Sequence, residues 1–494
     1  MKKIKSVHFI GIGGAGMGAI AEVLLGLGYF VSGSDVCENS MTKRLAELGA
    51  RVTFGHFKEN IFDADVIVVS TAIDEENIEI KTAREHNIPI VPRAKMLADL
   101  MHSRYGIAVA GTHGKTTSTS ILSSIMQNSG VDPSYIVGGK VLDSGTNARL
   151  GHGKYLIAEA DESDASFLYL KPTVVVVTNI DADHLSTYNN DLEYLKKTFI
   201  DFINSIPLNG IAVLCIDNDV VRSILPEINK PYVTYGFAKD ADYKAGTYLQ
   251  YATKTKFTLK RPEGKSELEC TINMPGKHNV LNAVAAIAVA TEEKLSDASI
   301  LSALARFKGV SRRFQLCGDY NVYGKSVSVV DDYAHHPIEV KVTVEAAFNA
   351  WPDKRLILAY QPHKYTRTRD LFNDFVDVLK QVDVLFLVKE YSAGESPIIG
   401  ADSKALYNAI AKKSNVKIFY VKDAKEIITT LLKICQDGDV LITQGAGSIG
   451  AYNKIILDEL KIIHEDSISQ KNHDSEIRKV ANIDKYKFTS SEEL

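Results

Sequence analysis

One short stretch constrains this chain more than any other: Ala110-Gly111-Thr112-His113-Gly114-Lys115-Thr116-Thr117. An apolar run, Tyr105 to Ala110, leads into it, and a helix is expected from near Thr116. A glycine turn between a strand and a helix aims backbone N–H groups and the positive helix end at an anion. Lys115 then supplies a point charge, and the Thr116 hydroxyl can ligate magnesium. A strict P-loop has glycine at position 109, where this chain has Val109, so the pattern is a shortened Gly-x-x-Gly-Lys-Thr-Thr. The bland alternative, a polar turn capping a helix, is disfavoured by Gly-Lys-Thr lying between a β-branched strand and a helix.

Such a loop belongs in a parallel sheet, and the rest of the chain agrees. Short β-branched runs alternate with helical stretches, the pattern of α/β architecture. At 494 residues the chain is too long for one core, so two to four domains are expected. Strands are expected at 7–10, 66–70, 105–110, 155–160 and 174–178, then at 327–330, 355–360, 384–388 and 440–443. A meander is expected around 232–272, with helices over 16–27, about 95–104 and 279–291. The boundaries follow: 1–103 first domain, 104–310 central domain, 311–465 third domain, and a polar, flexible tail over 466–494.

A second glycine loop, Gly11-Ile12-Gly13-Gly14-Ala15-Gly16, fits GxGxxG between the first strand and its helix. Asp35 follows the second strand where a ribose-binding acid is expected. Taken alone this pattern points to NAD, but a lone match is weak, and a glycine turn kept for packing is the plain alternative.

Composition excludes several classes. A net charge of −4 gives no ground for general nucleic-acid binding. Five cysteines without a CxxC pair argue against a disulfide framework or structural zinc. No apolar run suits a membrane span. The basic start, Met1 to Lys5, lacks a signal-peptide core because the glycine loop interrupts it. A cytoplasmic protein is expected, without membrane insertion.

Gly-Thr-His-Gly-Lys-Thr-Thr resembles the ATP loop of Mur ligases, and further matches follow in order. They are Val7 to Met17, Ala158-Glu159-Ala160-Asp161-Glu162-Ser163-Asp164, Asp331-Asp332-Tyr333-Ala334-His335-His336-Pro337, and Gln361 to Arg369. The resemblance runs to about residue 465. It implies three domains: Rossmann-like for the UDP part, a P-loop-ATPase-like parallel sheet, and a Rossmann-like α/β domain receiving the amino acid. By it the first glycine loop holds a UDP-sugar, not NAD. The implied reaction joins L-alanine to the lactyl carboxylate of UDP-N-acetylmuramate through an acyl phosphate, consuming ATP with two magnesium ions. A monomer or weak homodimer is expected.

The resemblance also distributes roles. Gly111, Thr112, His113, Gly114, Lys115, Thr116 and Thr117 would hold the ATP phosphates; His278, Asn279 and Asn282 would contact adenine and phosphates. An N-terminal helix cap at Asn279 can hold at the same time. Thr116, Glu159 and His184 would bind metal, although a histidine ligand is unusual for magnesium. A lysine that is carbamylated in sister ligases falls near Phe199 here, so no carbamylation is expected. Arg313 would reach the nucleotide phosphates, and Asp332, or second to it Asp331, the ATP ribose. Gly11, Gly13, Gly14, Ala15, Gly16, Met17 and Asp35 would hold the UDP-sugar. Ser70, Arg93, Thr146, Asn147 and Ser163 are further substrate candidates, with Ser70, Arg93, Thr146 and Asn147 reading equally well as strand-end or turn residues. Tyr333, His335, His363, Lys364 and Arg367 would surround the amino acid. Arg367 suits a carboxylate bidentately, whereas Lys364 keeps charge without the fork. Arg369 reads as a solvated helix residue.

Four rivals remain at this point, one of them folylpolyglutamate synthase, which is more distant and lacks a UDP-type first domain. A relative that adds a tripeptide to the same sugar acid has a different first glycine loop. An NAD oxidoreductase leaves Lys115, Glu159 and Arg313 without tasks. A non-catalytic ATP-binding regulator leaves the histidine–basic cluster of the third domain unexplained.

Overall fold

Glycine, β-branched and alternating apolar segments build three sheets in succession. The computed structural model describes residues 4–183 and 185–467. The first sheet contains β1 (Ser6–Ile10), β2 (Phe30–Asp35), β3 (Arg51–Phe54), β4 (Val66–Val69) and β5 (Ile90–Pro92). All are parallel, in the order β3-β2-β1-β4-β5. The helix after the first glycine loop spans Ala15–Gly26, one residue from its expected bounds.

The second sheet is built around five strands whose near-continuous apolar runs suit burial on both faces. They are β6 (Tyr105–Ala110), β9 (Tyr155–Glu159), β10 (Val174–Val177), β11 (Ile211–Cys215) and β12 (Tyr232–Gly236). β7 (Ser134–Val141) and β8 (Thr146–Arg149) close one side; β13 (Tyr243–Tyr251), β14 (Lys254–Lys260) and β15 (Leu268–Ile272) close the other. The order is β15-β14-β13-β12-β11-β10-β6-β9-β7-β8. The expected meander is therefore limited to β13, β14 and β15, because β12 pairs with β13 in parallel.

Side chains of the first sheet and one face of the second belong to one apolar cluster, including Phe9, Ile20, Leu24, Leu156 and Phe199. The other face of the second sheet packs on the helices Lys115–Asn128 and Lys277–Glu292. Phe199 is fully buried, with Phe167 at 5.1 Å, so the position takes part in packing. Residues up to Ser311 form one compact unit, and a second unit begins at Arg312.

That second unit carries β16 (Gln315–Val322), β17 (Lys325–Asp332), β18 (Leu356–Tyr360), β19 (Val384–Val388), β20 (Lys417–Val421) and β21 (Asp439–Gln444). The order is β16-β17-β21-β18-β19-β20, parallel except for β16. Helix over 449–467 packs beside β16, where the Asn321 amide donates to His464 Nδ1 at 2.8 Å. The flexible tail expected from 466 begins too early, since Asp466 and Ser467 are still helical; 468–494 lie outside the described residues. Among the described residues, no helix is long and apolar enough to cross a membrane.

Candidate active site

Parallel strands present loops at their carboxyl ends, and both glycine loops of the first unit sit there. The loop after β6 is shaped by its own sequence. Gly111 has φ +128°, and a Cβ on it would lie 2.1 Å from Thr178 Oγ1. Gly114 has φ +84°, and a Cβ there would lie 2.5 Å from Asn282 Oδ1. No other residue fits either position.

Neighbouring backbone and side chains brace this loop. Asn179 Oδ1 accepts from the His113 amide at 2.8 Å, and Thr112 Oγ1 accepts from the Asp181 amide at 2.9 Å. The helix over Lys277–Glu292 begins after Gly276, so Asn279 is not its cap. Instead Asn279 is buried in the first turn, donates to the Pro275 carbonyl at 2.7 Å and accepts from Asn282 at 3.2 Å. Asn282 in turn accepts from Ser118, so this helix start is tied to the loop's own helix.

Lys115 folds back on its loop. Its Nζ donates to the carbonyls of Gly111 (2.6 Å) and Thr112 (3.3 Å) and to Glu162 Oε2 (2.7 Å). Burial pulls the ammonium's pKa down, but Glu162, Asp161 and Glu159 outweigh this and hold it above the ordinary lysine value. Asp161 shows the reciprocal effect: burial pushes it up, and Lys115, Ser163 and Arg93 bring it below the usual range. Glu159 ends β9 with Oε1 accepting the Gly138 amide at 2.6 Å. Gly139, next along β7, lies against the methyl of Thr116. Thr116 and Glu159 thus offer oxygen donors, the type a hard divalent cation prefers. His184 lies outside the described residues. Among the described residues no group of three His, Cys, Asp or Glu side chains is placed to hold a metal.

A cavity of about 560 Å³ joins the two glycine loops. Its wall includes Gly11, Gly13, Gly14, Ala15, Gly16, Met17, Asp35, Ser70 and Arg93 from the first sheet's side, and Lys115, Glu159 and Asp161 from the second's. Asp35 braces its loop, its carboxylate accepting from the amides of Gly13 and Val36, each at 2.8 Å. Arg93 reaches Asp161 at 3.3 Å. Asn147 donates to the Ala15 carbonyl at 3.0 Å, while Thr146 bonds the Ala148 carbonyl at 3.0 Å. Ser163 bonds Asp161 at 2.8 Å.

The second unit gathers its own cluster at the carboxyl ends of β17, β18, β19 and β21. Asp332 Oδ2 accepts from the Phe314 amide (2.7 Å), and Oδ1 from Ala334 (2.9 Å), Gln444 (3.1 Å) and Thr343 (3.2 Å). This carboxylate brackets the turn, so a ribose contact would be an added bond. Asp331 faces Arg312 at 3.3 Å; burial, with Asp332 alongside, pushes it up to about 6 despite that arginine. Tyr333 lies under both Arg312 and Arg313, at 5.1 and 5.3 Å. His335 and His363 have ring centroids 5.7 Å apart, and Arg367 Nη1 stands 3.4 Å from His363 Nδ1. Burial above all brings both histidines down to about 4, against the pull of Glu339 at His335 and with the help of neighbouring cationic groups at His363, so both are neutral near pH 7. Lys364 precedes the helix Tyr365–Asp370 with φ 71°, a strained conformation that its amide bond to the Tyr391 carbonyl (2.9 Å) helps to hold. Arg369 is exposed and pairs with Asp370.

Reasoning from sequence missed Glu162, Asn179 and Tyr391. Glu162 and Asn179 lie in motifs adjacent to residues already singled out, and that adjacency was the available signal. Tyr391 carried none.

Three family models match the chain in succession. They are described as Mur ligase family, catalytic domain (residues 6–105), Mur ligase middle domain (109–290) and Mur ligase, glutamate ligase domain (312–447). Among solved structures, the UDP-N-acetylmuramate-alanine ligase of Thermotoga maritima is similar at 26% identity and a TM-score of 0.79, covering 92% of this chain and 99% of its own. A murein peptide ligase from Psychrobacter arcticus matches at 23% identity and a TM-score of 0.69, covering 93% and 99%, which speaks to fold alone. The UDP-N-acetylmuramate:L-alanyl-gamma-D-glutamyl-meso-diaminopimelate ligase of Neisseria meningitides matches at 26% identity and a TM-score of 0.57, covering 63% and 100%.

Proposed function

The chain belongs to the Mur ligase family, and from that premise we propose that it joins L-alanine to the lactyl carboxylate of UDP-N-acetylmuramate at the expense of ATP. One observation carries the reading: a single cavity is lined both by the first glycine loop and by Lys115 and Glu159. A UDP-sugar acid anchored on Gly11 to Met17 would place its carboxylate toward the ATP loop. Three anionic groups must meet for this chemistry, so positive charge aimed at the transition state dominates it.

The lactyl carboxylate attacks the γ-phosphorus of ATP, ADP leaves, and the amine displaces phosphate from the acyl phosphate. Lys115 leaves Glu162 for the phosphates, and loop amides from Gly111 to Thr117 cradle them. His278, Asn279 and Asn282 lie on the helix that borders this loop and would contact the nucleotide. Thr116 and Glu159 would hold magnesium, with His184 a candidate for a second ion, and the metal would supply charge neutralisation on the phosphates. In the second unit Arg313 and the Asp331–Asp332 pair would meet the nucleotide, and Arg367 would take the amino acid's carboxylate. Tyr333, His335, His363 and Lys364 would shape the space around the amine.

The test is phosphate release from ATP with UDP-N-acetylmuramate and a panel of L-alanine, glycine, L-serine and an L-alanyl tripeptide. Release that depends on L-alanine supports the reading. Preference for the tripeptide transfers the assignment to the peptide-adding relatives; no release with any amine refutes it.

A further inference from the structure

Tyr391 follows β19 and is 43% exposed, so it contributes little to the core of its domain. Its backbone is nevertheless fixed. It forms an isolated parallel bridge with His363, with the Lys364 amide donating to its carbonyl (2.9 Å) and its own amide donating to the Pro362 carbonyl (2.8 Å). Its ring lies parallel to the His363 imidazole, centroids 5.5 Å apart and planes 18° apart. Behind the ring is Gly447, where a Cβ would lie 2.6 Å from Tyr391 Cβ and 2.7 Å from Cγ. The absence of a side chain at 447 therefore lets the tyrosine sit against His363.

At the ring edge, Arg367 Nη1 stands 3.4 Å from His363 Nδ1. A guanidinium only donates, so Nδ1 accepts and the ring proton is assigned to Nε2. An imidazole of that tautomer keeps its acceptor at Nδ1 toward Arg367, so it can orient a guanidinium whose remaining N–H groups suit one carboxylate.

We propose that Tyr391 is a positioning residue for amine-substrate recognition: stacked on His363, it holds Nδ1 of the imidazole toward Arg367, and so orients the guanidinium that receives the carboxylate of the incoming amino acid. This rests on the function proposed above. The groups facing His363 are His335 from the turn after β17, Arg367 and Lys364 around the helix Tyr365–Asp370, and Glu395 with Tyr391 from the segment after β19. Three of these are or can become cationic, so protonating His363 sets it against Arg367 and abolishes the acceptor at Nδ1. Removing the tyrosine ring admits water, which moves the imidazole back toward its ordinary titration range.

Tyr391→Ala and Tyr391→Phe separate this role from plain packing. The alanine variant is expected to raise KM for L-alanine about tenfold, leave KM for ATP within about twofold, and move the acidic limb of kcat/KM for L-alanine upward by about one pH unit. The phenylalanine variant restores all three to wild-type values, because the ring and not the hydroxyl is invoked. NMR titration of the His363 ring reads the same displacement without turnover. Unchanged L-alanine KM and unchanged His363 titration in Tyr391→Ala overturn the proposal, as does a phenylalanine variant as impaired as alanine. If wild-type protein turns over no amine, the ligase reading fails, and the role in L-alanine recognition falls with it. The ring titration then reports only whether Tyr391 sets the state of His363.

Discussion

Lys115 and Glu162 make the sharpest case at the scale of single residues. The ion pair spans 2.7 Å, with the lysine 16% and the glutamate 3% exposed, so each depends on the other for charge compensation. Removing one partner of a buried pair leaves the other uncompensated at roughly 3 kcal/mol. Lys115→Ala is therefore expected to lose at least about 100-fold in kcat, to keep the wild-type far-ultraviolet circular dichroism, and to melt at lower temperature. Adding Glu162→Gln should recover part of the lost melting temperature and none of the activity. Retained turnover would contradict the assigned ATP loop. The loop's geometry was legible in sequence because Gly111, Gly114 and Lys115 each have a purpose that no other residue serves. Glu162 was not singled out, because a carboxylate's partner depends on which strand ends the fold brings together. The helix cap at Asn279 failed for a local reason: Gly276, with φ 95°, starts the helix earlier.

Between elements, one buried polar junction lies beneath the first glycine loop. Glu79, on the helix Ile78–Glu85, is fully buried and accepts from Ser34 of β2 (2.6 Å) and Asn60 (2.5 Å), with His56 at 3.1 Å and His8 of β1 at 3.8 Å. Burial pushes this carboxyl up, but the neighbouring His8 and the hydrogen bonds from Ser34 and Asn60 outweigh it and bring it down to about 2. A carboxylate depressed in the folded state stabilises above its unfolded pKa, and that contribution is lost as pH falls toward 2. Glu79→Gln should therefore unfold at lower denaturant concentration near pH 7, and its gap from wild type should narrow between pH 4.5 and pH 2. A gap that stays constant with pH contradicts the bracket. Sequence patterning identified several buried parallel strands, such as Val174–Val177, because continuous β-branched runs have few alternatives, but not β11, whose Ile-Ala-Val-Leu-Cys run is less β-branched. It missed β16 and β20, edge strands whose half-exposed residues interrupt the apolar run. Tyr391 was illegible for a related reason: only the bridge between strand ends brings it to His363.

For the molecule as a whole, three successive sheets were anticipated, and their order matches the family to which the chain belongs. The unexpected feature is the single apolar core shared by the first two sheets, which makes residues up to Ser311 one compact unit. A shared core fixes the first glycine loop relative to Lys115 and Glu159, and on the proposed function this would give the sugar acid a defined approach to the γ-phosphate. The proposed function depends on activation of that carboxylate by phosphoryl transfer. The direct measurement uses UDP-N-acetylmuramate carrying ¹⁸O in its lactyl carboxylate, with ATP, magnesium and L-alanine, followed by mass analysis of the released phosphate. One labelled oxygen appearing in phosphate for each amide formed is the predicted result. Amide formation with unlabelled phosphate would contradict it.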